Sequence, residues 1–202
     1  MTIASLRNFT VPLNQTGGNQ GLLMPKLKYR FRVQFENFGL GSSVLELTKQ
    51  VADFTRPTVN FEPVEIPVYN SRIYYAGKPN WETVTVNVRD DSLGSVSKLV
   101  GEQVQKQFDF LQQSSAVAGI DYKFLTRCEI TDGGNGSTTP AVLETWELYG
   151  CFVSSVNYGE LNYNTSDPVQ IQMTIRFDNA VQTPVNSGVG QDFGRFVLGT
   201  TV

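Results

Sequence analysis

The chain has 202 residues, of which 40% are hydrophobic and 17% are charged, and its formal net charge is −3. This length accommodates one sizeable domain with long arms, and the acidic balance excludes the basic field typical of nucleic-acid-binding proteins. The sequence contains no histidine, which removes His-based catalytic triads, most zinc sites and the commonest general base.

The two ends of the chain differ in pattern from its middle. Residues 1–26 and 179–202 show no sustained hydrophobic periodicity, so we expect an N-terminal and a C-terminal arm around a domain of residues 27–178. Within that domain, alternation of apolar and polar residues predicts half-buried strands at 27–35, 83–89, 122–130, 143–150, 151–159 and 169–177. Three prolines, at 57, 63 and 67, indicate an edge strand or a broken strand between residues 58 and 68.

One helix interrupts these strands. Residues 95–113 carry apolar side chains at helical i, i+3 and i+4 spacing, and Ser95 is predicted to cap the start. Gly101 in the interior costs up to about 1 kcal/mol of helix propensity, which suggests close packing at that point. The sequence therefore predicts a mainly β fold: two packed antiparallel sheets, as a β-sandwich or partly closed barrel, with one flanking α-helix.

The polar motifs of the chain do not add up to a catalytic, cofactor-binding or metal site. The loop DGGNGST at 132–138 resembles a phosphate-binding loop, but it lacks the Gly-Lys-Ser/Thr ending, so a flexible hairpin tip is favoured. Asp90 and Asp91 fit turn or helix-cap residues better than a metal pair. Glu144 and Glu147 fall on opposite faces of one strand and are not expected to act together. We therefore predict that the protein is not an enzyme and holds no cofactor.

Two further features concern the environment of the chain. Cys128 and Cys151 are expected to be small buried side chains rather than a disulfide pair. No stretch approaches the roughly 20 apolar residues that span a bilayer, so no membrane anchor is expected.

The segment RIYYAGKP at 72–79 is unusual, because turn-rich segments are normally small and polar. It combines exposed-type aromatic and aliphatic residues with flanking cations, which is typical of the centre and rim of a protein interface. Packing of this segment back onto its own domain is the alternative.

Three stretches of the sequence resemble the tail tube proteins of contractile-tailed bacteriophages. They are MPKLKYRFRVQF, PVEIPVYNSRIYYAGKPNWETVTVNVRDD and LYGCFVSSVNYGELNYNTSDPVQIQMTIRFD, which together span roughly residues 22–180 in the family's order. Val153 departs from the pattern, since the family often has proline there, and Asn162 stands where it often has aspartate.

The resemblance implies a structural subunit of a tail tube, in which hexameric rings stack helically and the lumen conducts DNA during injection. It implies that a hairpin at about 69–80 reaches the adjacent ring through Arg72, Ile73, Tyr74, Tyr75 and Lys78. Lumen candidates on the wet strand faces are Thr83, Thr85, Asn87, Glu129, Thr145 and Glu147. The implied partners in the tube wall are further copies of the chain and a surrounding sheath protein. A tape-measure protein and DNA would pass through the lumen without specific binding, and a baseplate and a tail terminator would lie at the ends. The implied location is the virion, after assembly in the cytoplasm of the bacterial host.

Two other readings remain open from the sequence. One is the related tube protein of a type VI secretion system or of a phage-derived injection particle. The other is a monomeric β-sandwich module that binds carbohydrate through its aromatic loops.

Overall fold

The computed structural model describes residues 25–40, 45–133, 140–164, 166–184 and 188–190. The described strands are β1 (Phe31–Glu36), β2 (Val51–Phe54), β3 (Val59–Val68), β4 (Ser71–Trp81), β5 (Val84–Arg89), β6 (Phe108–Asp109), β7 (Ser114–Ser115), β8 (Phe124–Thr131), β9 (Val142–Asn157), β10 (Gln170–Arg176) and β11 (Asn179–Pro184). The described helices are α1 (Leu45–Gln50), α2 (Ser95–Gln107) and α3 (Gly119–Tyr122).

The strands form the two packed antiparallel sheets that the sequence predicts. Sheet one contains β1, β8, the first half of β9 and β11, and sheet two contains the second half of β9, β10, β5 and β2. β9 runs through both sheets, so the two strands predicted at 143–150 and 151–159 are one continuous strand. The sheets are not closed into a barrel, and the fold is a β-sandwich.

Gly150 makes this long strand possible. The buried positions of β9 are even-numbered before Gly150 and odd-numbered after it, and Gly150 has a φ of +66°. A Cβ atom on Gly150 would lie 2.1 Å from an Asp178 carboxylate oxygen. Gly150 is thus an extra residue in the strand, as in a β-bulge, and it shifts the side-chain alternation by one position. As a result, both halves of β9 direct their apolar side chains into one core.

The core lies between the sheets and under α2. Its members are buried apolar side chains from every long strand of the sandwich, including Val33, Phe35, Val84, Val86, Val88, Trp146, Leu148, Ile171, Met173 and Ile175. Helix α2 adds Val96, Leu99 and Val100. The alternation visible in the sequence thus correctly identifies the inward faces of β1, β5 and β10, although the strand predicted from residue 27 begins at Phe31.

Helix α2 ends at Gln107, six residues before the predicted end at 113. Phe108 is extended, and the Asp109 carboxylate accepts hydrogen bonds from the amides of Leu111 and Gln112 at 2.9 and 3.1 Å. This local turn competes with further helix, so Leu111 is exposed instead of continuing the buried stripe.

The start of α2 also differs from the prediction. Gly94 occupies the N-cap, and the free amides of Ser95 and Ser97 donate to the carboxylates of Asp91 (2.6 Å) and Asp90 (3.3 Å). The two aspartates therefore cap the helix in place of Ser95, as their predicted turn or cap role implies. Although desolvation opposes ionisation, hydrogen bonds from Ser95 and the Val96 amide hold the pKa of Asp91 below its ordinary value.

Other predictions on the chain ends and cysteines have mixed outcomes. Strand β11 pairs with β9, so the sheet extends to Pro184 into the segment predicted as the C-terminal arm from 179. Residues 1–24, 191–202 and most of the loop tip at 132–138 lie outside the described residues. Cys128 and Cys151 are both buried and free, as predicted. Among the described residues, no helix is long and apolar enough to cross a bilayer.

Candidate assembly interface

Strands β3 and β4 form a two-stranded hairpin of their own, separate from the sandwich sheets. Every residue of β4 is exposed except Gly77 and Trp81, which are half-buried, and β3 is exposed beyond Val59. The hairpin implied at about 69–80 is therefore longer than expected, because those residues are mostly its returning strand and β3 is the other strand. Eight residues of strand from Phe61 to the turn span about 26 Å at ~3.3 Å per residue.

The two faces of this hairpin differ in chemistry. Cross-strand pairs place five apolar side chains on one side, which we call the apolar face: Val64, Ile66, Val68, Ile73 and Tyr75. Each of them is between 44% and 56% exposed, an unusual concentration of apolar surface for a soluble domain.

The opposite face of the hairpin is polar and aromatic. There Glu65 lies opposite Tyr74, and Pro67 lies opposite Arg72. An ion pair joins Arg72 to Glu65 at 3.1 Å. The predicted contact residues therefore divide into two groups, since Ile73 and Tyr75 share the apolar face whereas Arg72 and Tyr74 lie behind it.

The base of the hairpin is fixed to the sandwich. The Trp81 ring packs against Phe177 with 5.7 Å between centroids, and Arg176 donates to the Asn80 side-chain oxygen at 3.0 Å. The pairing register shifts between Phe61 and Pro63, opposite Gly77 and the exposed Lys78. A Cβ atom on Gly77 would lie 2.4 Å from the Glu62 carbonyl oxygen, so the close approach of β3 and β4 at this irregularity requires glycine.

Charged side chains form paired rows on the outer face of sheet one. Arg32 binds Glu129, with Nε–Oε2 and Nη2–Oε2 distances of 3.0 and 2.5 Å. Arg127 binds Glu147 at 2.9 Å and Glu36 at 3.1 Å. Two arginines thus neutralise most of the charge of three glutamates on this face.

Hydrogen bonding keeps Glu147 ionised in this network. The Tyr149 hydroxyl donates to Glu147 at 2.5 Å. This bond and the Arg127 guanidinium outweigh desolvation, so the pKa of Glu147 lies below its ordinary value. The same hydrogen bond raises the pKa of Tyr149.

The six predicted lumen residues lie in three places. Glu129, Thr145 and Glu147 share the outer face of sheet one, with Glu129 opposite Thr145 in the register. Thr85 and Asn87 alternate with the buried valines of β5, so they face outward from sheet two. Thr83 is exposed in the connection between β4 and β5. Because the outer faces of a sandwich point in opposite directions, the structure brings together the first set and separates it from Thr85 and Asn87.

Strand β1 forms an open edge of sheet one within the described residues. Its one strand partner is β8, and the Arg30 carbonyl accepts from the Thr131 amide at 2.9 Å. Hydrogen-bonded pairs alternate along an antiparallel ladder, so Phe31, Val33 and Phe35 direct their amides and carbonyls away from β8. The opposite edge, β11, has one outward amide occupied, since Gln182 donates to the Val189 carbonyl at 2.8 Å.

Helix α2 covers a further edge, that of the second half of β9. The Gln107 side-chain amide donates to the Val153 carbonyl at 2.9 Å and accepts from the Val153 amide at 2.8 Å. One turn earlier, Gln103 is fully buried and links the Gly39 amide to the Tyr122 carbonyl. The Val153 amide is thus in use, and a proline at 153 would be unable to make this contact.

Sequence reasoning missed three sets of residues. The bridging roles of Gln103 and Gln107 have no local motif, since their partners are 19 to 64 residues away. The buried Glu144 looked like an ordinary strand carboxylate, yet it accepts from Trp146 and Gln182 at 2.7 Å and binds Lys26. The apolar half of β3 was detectable, because VEIPV alternates from 64 to 68.

Comparisons with known proteins give the fold a context. No family model and no curated protein matches the chain. A chain of the sheath/tube terminator of an extracellular contractile injection system, PVC, in its extended state, is similar at 12% identity and a TM-score of 0.60, covering 81% of this chain and 99% of that chain. A chain of the six-fold symmetrised baseplate of the anti-feeding prophage has 12% identity and a TM-score of 0.57, covering 82% and 100%. A chain of the PVC sheath–tube complex has 14% identity and a TM-score of 0.53, covering 81% and 95%.

These similarities concern the fold. The chain has the fold of components of contractile injection systems, which agrees with its resemblance to tail tube proteins.

Proposed function

We propose that the protein is a structural subunit of the tube of a contractile injection machine and has no enzymatic role. The observation that carries this proposal is the protruding β3–β4 hairpin, whose apolar face is exposed on a sandwich that also has an open strand edge. An isolated subunit gains nothing from either feature, whereas an assembly covers both. The fold similarity to tube-machine components supports the same conclusion.

Ring formation follows from the edges of sheet one. Its strand order, β1–β8–β9–β11, contains four strands that alternate in direction. Because the number of strands is even, β11 of one subunit would meet β1 of the next in antiparallel orientation. The neighbour's β1 would then replace the hydrogen bond from the Gln182 amide to the Val189 carbonyl. Each open edge is thereby satisfied without a free end.

The size of such a ring is compatible with a conducting tube. Six subunits, the symmetry of the similar baseplate, would contribute about 24 strands to one barrel. At ~4.8 Å between strands the circumference is about 115 Å and the backbone diameter is about 37 Å, or larger if the strands tilt. A double helix fits within that diameter after inward side chains are added.

In this arrangement the outer face of sheet one becomes the lumen wall. We retain Glu129, Thr145 and Glu147 as lumen residues, and place Thr85 and Asn87 on the outside, towards a sheath. The ion-paired residues of this wall, three glutamates and two arginines, leave one excess carboxylate per subunit. Such a surface repels phosphate and offers passing DNA or a tape-measure protein no strong binding site.

The hairpin then contacts the adjacent ring. Its reach of about 26 Å beyond the sandwich is suited to a neighbour along the tube axis. Ile73 and Tyr75 form the buried part of that contact, and Arg72, Tyr74 and Lys78 form its periphery. Head-to-tail contacts of this kind do not close on themselves, and so they generate a stacked filament.

The first test is negative-stain microscopy of the purified chain over a concentration series, with light scattering and with baseplate components as nuclei. Six-fold rings or hollow tubes are expected. Particles that stay monomeric even with a nucleus present would overturn the tube proposal and redirect attention to glycan binding.

The lumen assignment has its own test with matched threonine variants. Reversing the charge of Glu129 would place a lysine against Arg32 and disturb the fold, so Thr145→Lys is the cleaner change. It adds about six cations per ring to the proposed wall, and DNA delivery should slow. Thr85→Lys adds the same charge to the other sheet and should leave delivery unchanged. Equal delivery by both variants would contradict the lumen assignment.

A bacteriophage tail tube is our first choice of machine, because three stretches of the sequence resemble that family. An injection particle without DNA is the second candidate, because the similar structures include components of an extracellular contractile injection system. Purified particles that carry nuclease-protected DNA would support the phage tail, and particles filled with protein would support the second candidate.

A further inference from the structure

We infer that the outer edge of β4 accepts a strand from a second copy of this chain, whereas the outer edge of β3 is closed to strand addition. This inference rests on the proposed tube and adds to it the backbone contact by which the hairpin joins its neighbour.

The hydrogen-bond pattern of the hairpin follows from its turn. Val68 pairs with Ser71 across the two residues Tyr69 and Asn70. In a two-residue hairpin this closing pair is hydrogen-bonded, and every second pair after it is hydrogen-bonded as well. The pairs in between therefore direct their amides and carbonyls outward: 67 with 72, 65 with 74, and 63 with 76.

Prolines occupy the outward positions of β3. Pro63 and Pro67 have no amide hydrogen. Because their positions point away from β4, no hydrogen bond between β3 and β4 is lost, and each proline removes one donor from the outer edge of β3. Between them, Glu65 keeps its outward amide. An edge with prolines at alternate outward positions is a known protection against strand pairing.

Strand β4 lacks this protection over the same length. Its outward residues Arg72, Tyr74 and Ala76 each carry an amide hydrogen and a carbonyl, and they face no strand within the described residues. The one proline of β4, Pro79, lies near the base of the hairpin. The hairpin therefore offers three consecutive donor–acceptor sites on one side.

A second copy is the partner that the proposed tube places beside the hairpin. A two-stranded hairpin is marginally stable in water, and a third strand both pairs this edge and widens the apolar face. Charge does not select the partner, because Glu62 and Glu65 of β3 balance Arg72 and Lys78 of β4. The proposed tube places another copy of the chain beside the hairpin, and the similar fold of a chain in the PVC sheath–tube complex supports that placement.

Proline substitutions on opposite edges provide a matched test. Tyr74→Pro removes an outward amide of β4, and Glu65→Pro removes the outward amide directly across the hairpin. Neither breaks a hydrogen bond within the hairpin, and Tyr74→Ala controls for loss of the ring. We expect Tyr74→Pro to raise the concentration needed for assembly about 10-fold relative to Tyr74→Ala, since a ladder bond is lost and the proline ring obstructs the partner. Glu65→Pro should stay within about twofold of wild type, because an exposed ion pair contributes little.

Hydrogen exchange on the wild-type chain provides the second measurement. On assembly, the Tyr74 amide should become at least about 10-fold slower to exchange, and the Glu65 amide should be unchanged. Assembly with an unprotected Tyr74 amide, or with equal effects of the two prolines, would refute strand addition and leave the tube proposal standing. Failure of the wild type to assemble with a nucleus present would instead remove the tube proposal, and this inference with it.

Discussion

Replacing Gln107 tests whether a helix side chain stabilises the sandwich by acting as a substitute strand. Its amide makes two hydrogen bonds, of 2.9 and 2.8 Å, to the carbonyl and amide of Val153, which is itself buried. Gln107→Ala leaves both backbone groups without this partner. Each bond contributes about 1 kcal/mol net, and burying an unpaired group adds to the loss, so we expect a decrease of about 2–3 kcal/mol in the free energy of unfolding.

The chemistry of the replacement sharpens this prediction. Gln107→Glu keeps an acceptor for the Val153 amide but sets a carboxylate oxygen against the Val153 carbonyl, so it should destabilise the fold at neutral pH about as much as alanine. Gln112→Ala, in the exposed turn after α2, is the matched control and should change stability by less than about 0.5 kcal/mol.

Urea unfolding followed by circular dichroism measures the difference, and calorimetry should show a melting temperature lower by about 5–10 °C for a chain of this length. If Gln107→Ala unfolds with the same midpoint as Gln112→Ala, the covered edge of β9 is not a source of stability.

Three further predictions concern single residues. Glu144 ionises more easily than its ordinary pKa of 4.5 predicts, because hydrogen bonds from Lys26, Gln182 and Trp146 outweigh desolvation. The ionised Glu144 therefore stabilises the folded state above pH 4.5, and this contribution is lost as the pH falls through its lower folded pKa. Between about pH 5 and 2, urea titrations should show a smaller loss of stability for Glu144→Gln than for the wild type. Gly101→Ala should raise stability by up to about 1 kcal/mol in thermal melts, because nothing lies within 4 Å of the added Cβ and the close packing suggested by the sequence is not there. Gly77→Ala should weaken assembly in light scattering without lowering the melting temperature of the sandwich, since its Cβ would collide with the hairpin's own backbone; unchanged assembly would contradict the role of the hairpin.

The predictable part of the site was the part encoded by neighbouring residues. The sequence placed Ile73 and Tyr75 in an exposed, apolar and basic segment, and the structure puts them in a protruding hairpin. It missed that Arg72 and Tyr74 lie on the opposite face, since assigning a face requires the register with β3. It took the prolines of β3 as signs of an edge strand or a broken strand, and the structure shows an edge strand in which Pro63 and Pro67 occupy outward positions.

The lumen candidates illustrate the same limit from the other side. Thr85, Asn87, Thr145 and Glu147 alternate with buried residues along their strands, whereas Glu129 is itself buried beside Arg32. However, the sequence pattern predicts the outward face of each strand separately. Only the packing of the two sheets decides which of these faces point in the same direction.

The sequence by itself determined the β class, the core-facing residues of β1, β5 and β10, the start of the helix and the unusual character of residues 72–79, because these depend on side-chain alternation over a few residues. Only the tertiary structure decided that β9 is one strand shared by two sheets, that Gln107 pairs with Val153, and that Pro63 and Pro67 occupy the outward positions of β3. Those features are contacts between residues far apart in the chain, or depend on the pairing register, and no local pattern of hydrophobicity specifies either.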